Sequence, residues 1–110
     1  MSKVIIIGAG AAGIMAAVSA TLNGHTVSIY EKNNRIGRKL YITGKGRCNI
    51  TNASGIKTIM ENVVSNKRFL FSAFRNFTNE DIMNLVENNG TKLKVERGNR
   101  VFPVSDHSSD

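Results

Sequence analysis

The sequence predicts an α/β fold that opens on a strand, a helix and a second strand, and three consecutive features predict it. KVIII at residues 3–7 is a β-branched run. AAGIMAAVSATLN follows at helical spacing, and TVSIYE at 26–31 alternates in the manner of a strand. Together they make one parallel βαβ unit over residues 3–31, whose crossover is almost always right-handed.

Each element has its own warrant. KVIII shows no polar alternation, so it is expected to be buried on both faces of a parallel sheet. Gly24 stands where a helix takes a left-handed cap. Residues 32–55 lose all periodicity and are rich in Gly, Asn, Arg, Lys and Thr, which reads as one long functional loop. IKTIMENVVS and KRFLFSAFRNF then have apolar residues at three and four spacing and read as two short helices. Thr78, with Asp81 three residues on, opens a third helix that ends at Gly90. TKLKVE and RVFPVS flank Arg97, Gly98 and Asn99 as a hairpin, with Pro103 expected to put the second strand at an edge. Met15, Met60 and Met83 read as core. The closing SDHSSD has helix-capping residues with no apolar run after them, and KVIII has only one parallel partner. The expectation is an amino-terminal part of a longer chain, its sheet incomplete and one strand edge unpaired.

Composition narrows the functional classes. A chain of 110 residues with 41% hydrophobic content suffices for one domain. Lys and Arg number 15 against 8 Asp and Glu, a net +7 that favours polyanionic partners. A single cysteine excludes a disulfide-built scaffold and points to a reducing, cytoplasmic setting. The apolar stretch VIIIGAGAAGIMAAVSA is broken by glycines and falls short of the ~20 residues a membrane span needs, so neither a span nor a targeting segment is expected. His25 and His107 are isolated, no metal-ligand set is expected, and no residue stands out as a catalytic acid or base.

GAGAAG places Gly8, Gly10 and Gly13 in the G-x-G-x-x-G pattern between strand and helix, which makes the unit Rossmann-like. The first glycine allows a tight turn, the second lets backbone approach a pyrophosphate, and the third lets helix and strand pack closely. Glu31 ends the second strand, where a carboxylate can accept from both ribose hydroxyls of an adenosine and would repel a 2′-phosphate. NADP is therefore disfavoured at this site, which leaves FAD or NAD as the expected dinucleotide.

Downstream, Arg38, Lys39, Lys45 and Arg47, with Lys32 and Arg35 just before them, form a cationic patch suited to phosphates, although Lys32 and Lys45 also read as merely solvated. Gly37, Gly44 and Gly46 permit close approach or left-handed turns. Asn49 and Asn52 read equally as ligand contacts or turn caps. Cys48 beside Arg47 could hold a reactive thiolate, but a small packed side chain is the better reading, since no second cysteine is present.

VIIIGAGAAGIMAA with GHTVSIYEKNNRIGRK resembles the FAD-binding folds related to glutathione reductase, with Gly37 and Arg38 matching the pattern after the acidic residue. GRKLYITGKGRCNITN and ERGNRVFPVSDHSSD are more specific. With them the chain resembles a bacterial flavoprotein family of predicted NAD(P)/FAD-dependent oxidoreductases that includes aminoacetone oxidase-like members. The resemblance implies that residues 1–110 are the amino-terminal part of one FAD-binding domain: the βαβ unit at 3–31, a cofactor loop at 32–55, and helices with a hairpin at 56–110. It implies a flavin-dependent oxidoreductase whose FAD carries the hydride or electron chemistry, a small-molecule substrate, and NAD(P)H as a donor bound elsewhere in the parent. Gly8, Gly10, Ala11, Ala12 and Gly13 would then line the pyrophosphate, and Glu31, with Lys32 next to it, the adenosine ribose. Arg38 and Lys39 would lie over phosphate and ribose. Thr43, Gly44, Gly46, Arg47, Cys48 and Asn49 would approach the flavin.

Two rivals stand beside this reading. One assigns NAD to the same βαβ unit. The other is a basic nucleic-acid module, suggested by pI ≈ 10.0 and by Phe69, Phe71, Phe74 and Phe77 interleaved with Lys67, Arg68 and Arg75. Helical spacing of those phenylalanines favours a core over a stacking platform, and most of the basic excess sits beside the dinucleotide turn, so no nucleic-acid and no membrane partner is expected.

Overall fold

The computed structural model describes all residues, Met1–Asp110. The chain divides into two compact units, Met1–Thr43 and Gly44–Asp110.

The first unit is the βαβ unit and its extension. Strand β1 (Lys3–Ile7), helix α1 (Ala11–Leu22) and strand β2 (Thr26–Tyr30) follow in order, and β1 pairs in parallel with β2 from Lys3↔Thr26 to Ile7↔Tyr30. Helix α1 ends in a Schellman motif: Gly24, at φ +80°, donates to Thr21 O at 3.0 Å, and His25 N–H donates to Ala20 O at 3.0 Å. Ile6 lies on the face toward α1, its Cγ2 3.4 Å from where a Cβ on Gly13 would stand. The opposite face is open, with Ile7 82% exposed and its register partner Tyr30 61% exposed. The expected burial of KVIII on both faces is therefore corrected. With two strands and one helix layer the run alternates between half-covered and exposed residues.

Residues 32–55 are not one loop. They contain helix α2 (Arg38–Ile42), a 3₁₀ turn (Thr43–Gly46) and the short strand β3 (Thr51–Asn52). A five-residue helix is too brief to show a hydrophobic period, and α2 is entered through Gly37 at φ 63°.

In the second unit β3 is followed by helices α3 (Ile56–Glu61), α4 (Lys67–Asn76) and α5 (Asn79–Asn88), then strands β4 (Leu93–Glu96) and β5 (Arg100–Pro103). The strands form an antiparallel sheet in the order β3-β5-β4. The expected edge position of Pro103 is thus corrected: β5 is the central strand. Proline is tolerated because β3 pairs only with Arg100 and Val101. Val104 N–H donates to Lys92 O toward β4, so by ladder alternation the Pro103 nitrogen faces the other side, beyond the end of β3. Val101 and Phe102 of this strand are buried at 0% and 3% exposure. At α5 the capping box is complete, Asp81 N–H donating to Thr78 Oγ1 at 3.2 Å and Thr78 N–H to Asp81 Oδ2 at 2.7 Å.

The phenylalanines of the α4 region are not core. Phe69 is 84% exposed, Phe71 52% and Phe77 43%, and only Phe74 is half-buried. Helix α4 turns a narrow edge, Leu70 and Phe74, away from solvent, so the other aromatic positions face outward despite their spacing. Met15, Met60 and Met83 are half-buried. No helix is long and apolar enough to cross a membrane.

Candidate functional site: the glycine turn and Glu31

Strand β1 delivers the chain to Gly8, whose φ of +97° is left-handed and whose N–H donates to Tyr30 O at 2.8 Å. That bond ties the turn to the end of β2. Ala9 is fully buried, its N–H donating to Glu31 Oε1 at 2.9 Å and its carbonyl accepting from Gly37 N–H at 2.7 Å. The second carboxylate oxygen of Glu31 accepts from Asn33 N–H at 2.7 Å. These two backbone donors hold the Glu31 carboxyl below its ordinary pKa, so it is an anion locked beside the turn. Each of its oxygens keeps acceptor capacity for a further hydroxyl.

The three glycines have different physical reasons. Gly8 needs its positive φ. At Gly13 a Cβ would stand 1.9 Å from Gly8 O, so the helix can sit against the strand only without a side chain there. Gly10 has an ordinary φ of −82° and nothing within 4 Å of a hypothetical Cβ. Neither backbone strain nor internal packing requires glycine at that position, and the open space lies at the head of α1.

That helix end has no partner of its own. Gly10 makes no side-chain cap, the first turn holds no acidic residue, and the first helical bond is Ile14 N–H to Gly10 O at 2.9 Å. The N–H groups of Ala11, Ala12 and Gly13 therefore have no intrahelical acceptor, and Gly10, Ala11 and Ala12 are exposed. Open donors, the positive end of a helix dipole and an absent side chain fit a pyrophosphate, while Glu31 suits ribose hydroxyls. Arg38 Nη1 donates to Asn33 Oδ1 at 3.4 Å, which brings one expected cation to the segment that holds Glu31. Lys32 and Lys39 are exposed.

The expected residues in the second unit are engaged otherwise. A Cβ on Gly44, at φ +59°, would meet Asn49 N at 2.9 Å and Phe102 Cε1 at 3.3 Å, so packing accounts for this glycine. Gly46 O accepts from Ser108 N–H at 2.9 Å. Arg47 donates to Asp106 Oδ1 (2.9 Å from Nε, 2.6 Å from Nη2) and to Glu96 Oε2 at 2.5 Å, with its guanidinium 4.1 Å over the Phe102 ring. Lys94 Nζ joins the cluster at 2.6 Å from Asp106 Oδ2 and 3.2 Å from Glu96 Oε2. Hydrogen bonds from Arg47 and Lys94 depress both carboxyl pKa values, and the carboxylates raise those of Arg47 and Lys94. Cys48 has φ 60° and is half-buried, and burial pushes its thiol pKa up, which opposes a reactive thiolate.

The asparagines of this unit bind backbone. With its amide nitrogen turned inward, Asn49 donates to Val101 O and Thr51 O at 3.2 Å each. Asn52 donates to Gly98 O at 3.0 Å and accepts from Ser54 N–H at 2.9 Å. Sequence reasoning missed Asn33, Asn79, Lys94, Glu96 and Asp106. Asn79, 5% exposed, donates to Asn52 O at 2.6 Å and Ser54 O at 2.8 Å. Such partners lie 25 and 27 residues away and leave no local pattern.

With this geometry in hand, residues 2–110 match the family described as HI0933-like protein Rossmann domain. The chain belongs to this family. The HI0933-like chain is 38% identical over 101 residues to a protein of Haemophilus influenzae named ribosomal RNA dihydrouridine synthase, covering 92% of this chain and 25% of that protein. An Escherichia coli protein of the same name is 37% identical over 86 residues, 78% of this chain and 21% of that protein. A Clostridium scindens protein named 3-dehydro-bile acid delta(4,6)-reductase is 29% identical over 111 residues, 99% of this chain and 26% of that protein. The chain thus spans about a quarter of the length of these relatives. It is a Rossmann dinucleotide-binding domain of a family with oxidoreductase-named members.

Proposed function

We propose that the glycine turn and Glu31 seat the adenosine and pyrophosphate of FAD, and that the chain serves a flavin-dependent reductase. The observation that carries this is the open head of α1. Its donors face solvent at a glycine that the protein's own packing does not require, with an anion fixed by Ala9 and Asn33 beside it. FAD, when bound, supplies the hydride chemistry, and the residues of this chain bind and orient its adenosine end. Gly10, Ala11, Ala12 and Gly13 donate to phosphate oxygens, Glu31 accepts from the ribose, and Arg38 adds positive charge. A cytoplasmic setting suits such a cofactor and the single free cysteine.

For the substrate we infer an unpaired uridine of RNA. Two relatives are named for making dihydrouridine in ribosomal RNA, formally a gain of two hydrogens by uridine, and the C. scindens protein is named as a reductase. The exposure of Phe69, Phe71 and Phe77 supports this reading, because rings in solvent are available to stack on bases.

Equilibrium dialysis of the chain against FAD, NAD and NADP tests the cofactor. The expected result is retention of FAD, exclusion of NADP, and loss of FAD in Gly10→Val. Uptake of NAD with exclusion of FAD would select the NAD reading, and uptake of none would overturn both.

A further inference from the structure

The exposed aromatic residues of the second unit coincide with its positive charge. On α4, Lys67, Phe71 and Arg75 recur at i, i+4 and i+8 and share one helix face, with Arg68 and Phe74 on either side of that row. The helix KRFLFSAFRN contains no carboxylate. All four ion pairs of the molecule lie among Arg47, Lys94, Glu96 and Asp106, so no carboxylate within 4 Å neutralises Arg68 or Arg75. Lys67 Nζ donates to the Glu61 carbonyl at 3.2 Å, which anchors its stem at the end of α3 and leaves its charge uncompensated.

Beside this face runs a groove of about 470 Å³ lined by Ile56, Met60, Phe71, Phe74, Arg75 and Thr78. Its walls are mostly apolar and aromatic, with Arg75 among the residues that line it. Phe71, one of its lining residues, is 52% exposed.

We propose that this groove, with Lys67, Arg68 and Arg75 on the helix that forms its wall, binds single-stranded RNA, one unpaired base stacking on Phe71 and the flanking phosphates meeting these cations. The proposal rests on the RNA-substrate reading above and adds the surface that recognises the strand. Aromatic rings interleaved with cations are what a single strand requires, since every base has a π-face and every linkage a charge. A concave site suits an inserted base. Partition into a membrane calls instead for a convex apolar face, and an acidic peptide would leave the aromatic walls unused.

The test is fluorescence anisotropy of a labelled twelve-nucleotide oligouridine titrated with the full chain at low salt. We expect saturable binding that Phe71→Leu, which keeps the groove filled but removes the ring, weakens about 5- to 100-fold. Arg68→Glu with Arg75→Glu should weaken it at least as much and reduce the slope of log affinity against log salt by about 0.7 per lost phosphate contact. Phe69→Ala, on the opposite side of α4, should change neither, and circular dichroism should show native helix content in all variants. Binding indifferent to Phe71→Leu and to the double charge reversal would overturn the proposed surface while leaving RNA as the ligand. No binding to oligouridine at any salt would overturn the RNA reading itself. Capture by phosphatidylglycerol vesicles, sensitive to the same variants and without RNA binding, would overturn the proposal in favour of a membrane contact.

Discussion

The glycine turn at residues 8–13 and the turn at 44–49 are both glycine-rich, yet they differ in where their polar groups go. The first leaves the N–H groups of Ala11, Ala12 and Gly13 open and has a glycine that packing does not require. In the second, Gly44 is required by Asn49 and Phe102, Arg47 is neutralised by Glu96 and Asp106, and Asn49 binds the backbone of Thr51 and Val101. Exposed, unsatisfied donors leave the first turn able to receive acceptors from outside the chain. In the second turn most polar groups are paired within the protein, and only Lys45 stands exposed without an ion pair. Residue composition alone does not distinguish the two.

The sharpest way to break this contrast is inside the first turn. Gly13→Ala places a Cβ 1.9 Å from a backbone oxygen and should destabilise the chain by about 3 kcal/mol or more in urea unfolding. Gly10→Ala should change stability by no more than ~0.5 kcal/mol, yet lower FAD affinity at least tenfold in dialysis. Equal effects of the two substitutions on stability would show that Gly10 is also a packing glycine.

Asn79→Ala probes the paired side of the contrast. It leaves the carbonyls of Asn52 and Ser54 without their buried donor, and a loss of about 1–3 kcal/mol is expected, with FAD affinity unchanged.

The charge cluster should respond to pH. Glu96 and Asp106 have lowered pKa values in the folded chain, so their contribution is present above the ordinary carboxylate pKa and is lost as pH falls through the folded values. Lys94 is raised, so its contribution holds below the ordinary ammonium pKa and is lost as pH rises through the folded value. Melting temperatures between pH 7 and pH 3 should therefore fall, and the fall should be shallower in Arg47→Gln, which lacks the main partner of Glu96. FAD affinity of that variant should stay within twofold of the parent. A large loss would mean that Arg47 serves the cofactor.

The smallest effect is expected at the α5 cap. Thr78→Ala removes one half of the capping box and should cost about 1 kcal/mol, read as a lower urea midpoint without change in ligand binding.

The βαβ unit was legible because its signals are local. β-branched runs, Gly24 at a helix end and the capping pair Thr78 and Asp81 each act within a few residues, and all appear as expected. The pairing of β3 with β5 and the helix at Arg38–Ile42 were not legible, because a two-residue strand and a five-residue helix are too short to carry a period. Glu31 could be singled out by its place at the end of β2, whereas its second backbone donor, Asn33, depends on how the chain turns after the strand.

By itself the sequence determined the family, the order of the principal elements and the position of the glycine turn, since each rests on residue types at fixed short spacing. Tertiary structure alone decided which polar groups remain open. It turned Phe69, Phe71 and Phe77 outward and joined Arg47 to carboxylates 49 and 59 residues away. Burial and ion pairing depend on long-range neighbours, and no local pattern encodes them.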